Sequence, residues 1–207
     1  DLQYYLMAQL AWNPDRSIDE IMDDYYKSGF GPAAEDIKAY WKMLENNRYE
    51  IQNYEKEQGG KSWADAFSPE FFKEAYSLLD KAAGKVEGEK DCLNRIAFVR
   101  AGLDYLRLNT ENQTHAKQII ESKEEDPAIR EKMRVNWKQI EEIVKKHPEA
   151  LKTSHVLKKP ETNRLGYIHP DADLKAIDAQ LKAKWNRKEK GKERVRSLAK
   201  PENEDGQ

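Results

Sequence analysis

Three dipeptides, Asn13-Pro14, Ser68-Pro69 and Asp126-Pro127, punctuate this chain, and the text between them carries apolar residues at helical spacing. Proline disfavours the helical conformation in the residue before it, yet fits a helix's first turn, where its missing N–H is not needed. The first pair therefore closes a helix running from about Leu2 to Trp12, and the other two open helices. Ser17, with Glu20 three residues later, reads as a capping box. It starts a second helix through Ile18, Ile21, Met22, Tyr25 and Tyr26. Gly29 is expected to supply the left-handed residue that ends it, and Pro32 to sit in the first turn of the next.

That third helix is expected over roughly 32–58, with a stripe of Ile37, Tyr40, Trp41, Leu44, Ile51 and Tyr54 that Arg48 interrupts. Gly59-Gly60 ends it, and Trp63 and Phe67 pin the connector 59–67 to the body. A fourth helix follows Ser68 with Phe71, Phe72, Ala75, Leu78, Leu79 and Ala82 inward, stopped by Gly84. A fifth begins near 87–90 with Leu93, Ile96, Ala97, Val99, Leu103 and Leu106. It weakens at Asn109-Thr110 and leaves open whether one helix or two runs on through Ile119 and Ile120. The sixth carries Ile129, Met133, Trp137, Ile140 and Val144, and Pro148 ends it after His147. No segment alternates as a strand does, and no fixed-period repeat is present. The class is all-α: an antiparallel helical bundle of about six helices over 1–150, followed by 151–207. That second region reads as an irregular segment, an amphipathic stretch with Leu174, Ile177, Leu181 and Trp185, and a charged tail expected to be partly disordered.

The first helix is apolar on nearly every side, and such a helix needs neighbours on all faces. The expectation is that the chain was cut from a larger protein, whose missing part covers Leu2, Tyr4, Tyr5, Leu6 and Trp12. Charged residues make up 36% of the chain and mean hydropathy is −1.00, so the remaining helices must carry heavily charged outer faces. A formal net charge of −2 argues for neither nucleic acid nor a membrane surface. The charge is unevenly spread: residues 1–60 balance at −6, and residues 181–196 at +6. The basic segment reads as a solvated helix end or tail, because Trp185 is its only aromatic for stacking on bases.

Reaction chemistry is not visible. Adjacent Asp23 and Asp24 point about 100° apart on a helix and cannot flank a scissile bond as a glycosidase pair does. His115, His147, His155 and His169 show no ligand spacing, so no metal is expected. Gly29-Phe30-Gly31 follows a helix, not a strand, and lacks the rest of a phosphate-binding loop. Asn112-Gln113-Thr114 matches a glycosylation sequon inside a predicted helix. Cys92 excludes an internal disulfide, and reads as a small half-buried residue although a helix start can lower a thiol pKa. Aromatics crowd the first third and pack helices at this spacing. Trp12 and Trp63 are the candidates for stacking on a ligand such as a sugar.

The string Tyr4-Tyr5-Leu6-Met7-Ala8-Gln9-Leu10-Ala11-Trp12-Asn13-Pro14, then Tyr25-Tyr26 and Phe30-Gly31-Pro32-Ala33-Ala34, carries a resemblance. Phe67-Ser68-Pro69-Glu70, Leu78-Leu79-Asp80-Lys81-Ala82 and the stretch from Asn94 to Tyr105 extend it. Over roughly residues 1–145 the chain resembles the helical region closing a group of large bacterial proteins catalogued under a domain of unknown function. Those proteins carry an α-glucuronidase-like or hexosaminidase-like (β/α)8 barrel ahead of it. The resemblance implies that catalytic carboxylates lie upstream on the barrel's loops, so no catalytic residue is carried over. The residues themselves show no cofactor motif, and the resemblance further implies a barrel of the same parent chain as partner, a homodimer as a further assembly, and a secreted or periplasmic parent. The alternative is a stand-alone helical protein-interaction module. A carbohydrate-binding module is a third reading, resting on Trp12 and Trp63.

Overall fold

In a computed structural model, the structure describes residues 2–56, 59–61, 63–122, 126–147 and 171. These form α1 (Leu2–Trp12), α2 (Ile18–Phe30), a 3-10 turn (Gly31–Ala33), α3 (Ala34–Glu55), α4 (Trp63–Ala66), α5 (Pro69–Lys85), α6 (Lys90–Ser122) and α7 (Pro127–Lys146). No strand occurs among the described residues, so the protein is all-α. The chain divides into two compact units, Asp1–Arg107 and Leu108–Gln207, each with its own core. The domain boundary expected near residue 150, the amphipathic stretch, the basic 181–196 segment, His155 and His169 lie outside the described residues.

Unit 1 is organised around Tyr26 and Phe30 of α2, Ile37 and Tyr40 of α3, and Phe71, Phe72, Ala75 and Leu79 of α5. Ile96 and Leu103 of α6 complete it. The small residues Ala33, Ala34, Ala75 and Ala82 let helices approach while the aromatics fill between them. Phe67 sits at the centre of an aromatic cluster, tilted against Trp63 at 4.6 Å and edge-to-face with Phe71 at 5.2 Å, so the connector is pinned as expected. Ion pairs among the described residues join these helices: Lys85 to Asp36, Arg100 to Asp80 and Lys38 to Asp23, each at 2.6 Å. Tyr76 donates to Asp104 Oδ1 at 2.5 Å and accepts from Arg107 Nε at 3.2 Å. Burial, with Asp104 adding to it, pushes the Tyr76 phenol up to about 12.

In unit 2, Leu108, Ala116 and Ile119 of α6 are buried, as are Met133, Ile140 and Val144 of α7. A polar seam runs through this unit. Asn136 Nδ2 donates to Glu111 Oε2 at 3.0 Å and to Asn112 Oδ1 at 3.2 Å, and Asn112 Nδ2 donates to the Met133 carbonyl at 3.5 Å.

Several local expectations change. Ser17 stands at the N-cap of α2, but its side chain makes no cap hydrogen bond, so the capping box with Glu20 does not form. Gly29 is helical, so the expected left-handed residue does not form there; the positive φ falls at Gly31 (φ 51, ψ −125), which Pro32 excludes from helical geometry. Gly31 N–H still donates to the Lys27 carbonyl and closes α2. Pro32 accordingly lies in the 3-10 turn ahead of α3. Gly84 is helical, and α5 runs on to Lys85 before the buried Val86, with the positive φ falling at Gly88. On α3 the inward polar position is Asn47, which donates to the Ala66 carbonyl, whereas Arg48 is exposed. Trp41 and Tyr54, expected in the buried stripe, are exposed. Gly60 is required by close approach, since a Cβ there would collide with the Glu50 carbonyl. Asn109-Thr110 does not break the fifth predicted helix: α6 is continuous over 33 residues. Ser68 and Asp126 are working caps, accepting from Phe71 N–H and from Ala128 and Ile129 N–H.

Candidate functional site

The sequence of α1 contains no charge, only Gln3 and Gln9 among apolar residues, and its first and last turns lack the compensating acids and bases of an ordinary surface helix. None of its residues is buried. Leu2, Tyr5, Leu6, Gln9 and Leu10 fall at i, i+3, i+4, i+7 and i+8 and are half-buried; Leu2 packs against the unit 1 core and Tyr5 against Tyr25 of α2. Tyr4, Met7, Ala8, Ala11 and Trp12 share the same spacing on the opposite face and are exposed. Tyr4 retains 71%, Met7 59% and Trp12 92% of its accessible surface. The residues expected to be covered by a missing neighbour therefore divide: Leu2, Tyr5 and Leu6 turn inward, Tyr4 and Trp12 outward.

Polar bonds fix this helix. Tyr5 donates to Asp24 Oδ2 at 2.6 Å. Arg16, in the turn between α1 and α2, donates to Gln9 Oε1 at 2.7 Å and pairs with Asp24 Oδ2 at 3.5 Å. Ser28 donates to the other Asp24 oxygen at 3.1 Å. The hydrogen bond from Tyr5, helped by those from Ser28 and Arg16, holds the Asp24 carboxyl below its ordinary value. The same bond raises the Tyr5 phenol. Asp23 points elsewhere, to Lys38 Nζ at 2.6 Å, which lowers its pKa in turn. The adjacent acids thus serve as two separate ties and form no facing carboxylate pair. The sequence reading missed Arg16, Gln9 and Asp24 as a group. Their spacing is irregular, and its one legible sign is an arginine in a short turn between uncharged and acidic helices.

The Trp12 end is acidic. Asp15, Asp19 and Glu20 are exposed and none forms a salt bridge among the described residues. Trp63, the other aromatic candidate, is half-buried against Phe67 and the unit 1 core. Asn112 of the sequon is buried and its amide bonded, which denies it to a glycosyl transfer enzyme. Burial, with Glu89 adding to it, raises the Cys92 thiol rather than lowering it. His115 lies 3.3 Å from Gln118 Oε1 and lines an open groove of about 460 Å³ with Glu111, Glu131, Lys132 and Asn136. His147 follows the last turn of α7, its N–H bonded to the Ile143 carbonyl. No group of three His, Cys, Asp or Glu suited to a metal ion occurs among the described residues. None of their helices is long and apolar enough to cross a membrane.

Comparison of the chain with family models, with curated proteins and with solved structures finds no match.

Proposed function

We propose that this chain is a non-catalytic, C-terminal helical accessory domain of a polysaccharide-degrading, glycoside-hydrolase-like protein. In this reading the outer face of α1 packs against a (β/α)8 barrel of the same parent, α-glucuronidase-like or hexosaminidase-like. The observation that carries the reading is the exposed stripe of Tyr4, Met7, Ala8, Ala11 and Trp12 on a helix without charge. Contiguous apolar surface rimmed by polar groups marks an interaction site, and the acids Asp15, Asp19 and Glu20 form such a rim at the Trp12 end. The test has two arms. The reading frame upstream of Asp1 is sequenced for a barrel, and the isolated chain is assayed on aryl glycosides and uronides. An upstream barrel with no turnover by the isolated piece agrees. Turnover that survives purification, or no barrel, contradicts it.

A second reading, a stand-alone helical interaction module, has one observation in its favour. The unit 1 core closes on residues of α2 to α6 and the segments joining them, all within the chain. An upstream frame without a barrel favours this reading, with Trp12 as the first residue to substitute.

A further inference from the structure

We propose that α1 is a latched strap: it opens from α2 as a unit, with Asp24 as the catch, while the rest of unit 1 stays folded. The body does not depend on α1. Every buried member of the unit 1 cluster lies in α2 or later, and Leu2 touches that cluster only as a partly buried neighbour. Segments with few buried apolar contacts open at far lower free energy than the core, and α1 has no buried residue at all.

The side-chain bonds from Tyr5 and Gln9 of α1 converge, directly or through Arg16, on Asp24. Asp24 receives Tyr5 from α1, Arg16 from the turn and Ser28 from its own helix, and Arg16 also reaches back to Gln9. Removing the Asp24 charge therefore loosens both the phenol and the arginine that bridges to α1. The turn itself is held by bonds that do not involve docking. Arg16 N–H donates to the Asn13 carbonyl at 3.3 Å, and Asp15 N–H to Asn13 Oδ1 at 3.2 Å. It can act as a hinge. Opening separates Tyr5 from Tyr25, whose rings lie 5.5 Å apart, and bares an aromatic surface on α2 on the same face as the exposed Ile18 two turns earlier. Once free, an eleven-residue helix is too short to persist in water, so its amides become exchangeable when the strap opens.

Hydrogen exchange with mass spectrometry on the full chain tests this, comparing wild type with Asp24→Asn and Tyr5→Phe. The expected result is uniform exchange across Leu6–Trp12, faster than in Phe71–Ala82 of α5. Each variant should raise the α1 rate about three- to tenfold through loss of a charge-assisted bond, with α5 unchanged. Exchange graded from the Leu2 end would show fraying instead of unit opening and overturn the proposal. So would α1 rates that neither variant alters, or α1 and α5 accelerating together.

Discussion

The Tyr5 phenol donates a 2.6 Å hydrogen bond to Asp24 Oδ2, so the helix with the exposed stripe and the helix beneath it meet at one carboxylate. This bond stabilises the ionised acid and the neutral phenol together. Its pH limits follow from the two shifts.

Asp24 has a folded pKa below its ordinary 3.8, chiefly because Tyr5 donates to it, with Ser28 and Arg16 also facing it. Its contribution to docking is fully present above the ordinary value and is lost as pH falls through the lowered one. At the other limit, the raised Tyr5 keeps docking intact below its ordinary 10.0 and releases it as pH climbs through the higher folded value. The Tyr5 ring resonances, assigned by their loss in Tyr5→Phe and set by packing 5.5 Å from Tyr25, should shift at both limits. Asp24→Asn should abolish the acid one. An acid transition that survives this substitution would contradict the assignment.

Two helix starts that look equally good in sequence should respond differently to alanine. Asp126 accepts from two backbone N–H groups of α7, so Asp126→Ala should cost about 1 kcal/mol in urea unfolding. The Ser17 side chain makes no cap bond, so Ser17→Ala should fall within about 0.5 kcal/mol of wild type. Equal losses would contradict the cap geometry.

The core and the stripe should separate in the same way. Leu79 is fully buried, and Leu79→Ala should destabilise by about 2–5 kcal/mol. Trp12→Ala removes a larger side chain from an exposed position and should change stability of the isolated chain by less than about 0.5 kcal/mol.

The asparagine seam gives a fourth expectation. Asn136→Ala leaves Asn112 Oδ1 and Glu111 Oε2 without their shared donor, at a cost of about 1–3 kcal/mol.

Helix positions were legible because proline, glycine and caps act locally. Asn13-Pro14, Ser68-Pro69 and Asp126-Pro127 fall where helices end or begin, and Phe71, Ala75, Leu79, Met133 and Ile140 face inward as their spacing requires. Errors arose where two local signals competed. Pro32 carried the helix through Gly29 and put the positive φ at Gly31, and a helical phase one residue away placed Asn47 inside instead of Arg48. The apolar character of α1 was legible too, but its division into a docked and an open face was not. That division depends on where Asp24 and Arg16 sit in space, and these lie 19 and 11 residues from Tyr5 in the chain.

The account rests on the outer face of α1 being an interface, and Trp12 reports on it directly. Its acrylamide quenching, isolated by difference against Trp12→Phe, is to be compared between this chain alone and this chain joined to the barrel proposed to precede it. The account predicts a Trp12 open to quencher in the isolated chain and shielded, with blue-shifted emission, in the longer protein. Equal quenching in both would contradict it.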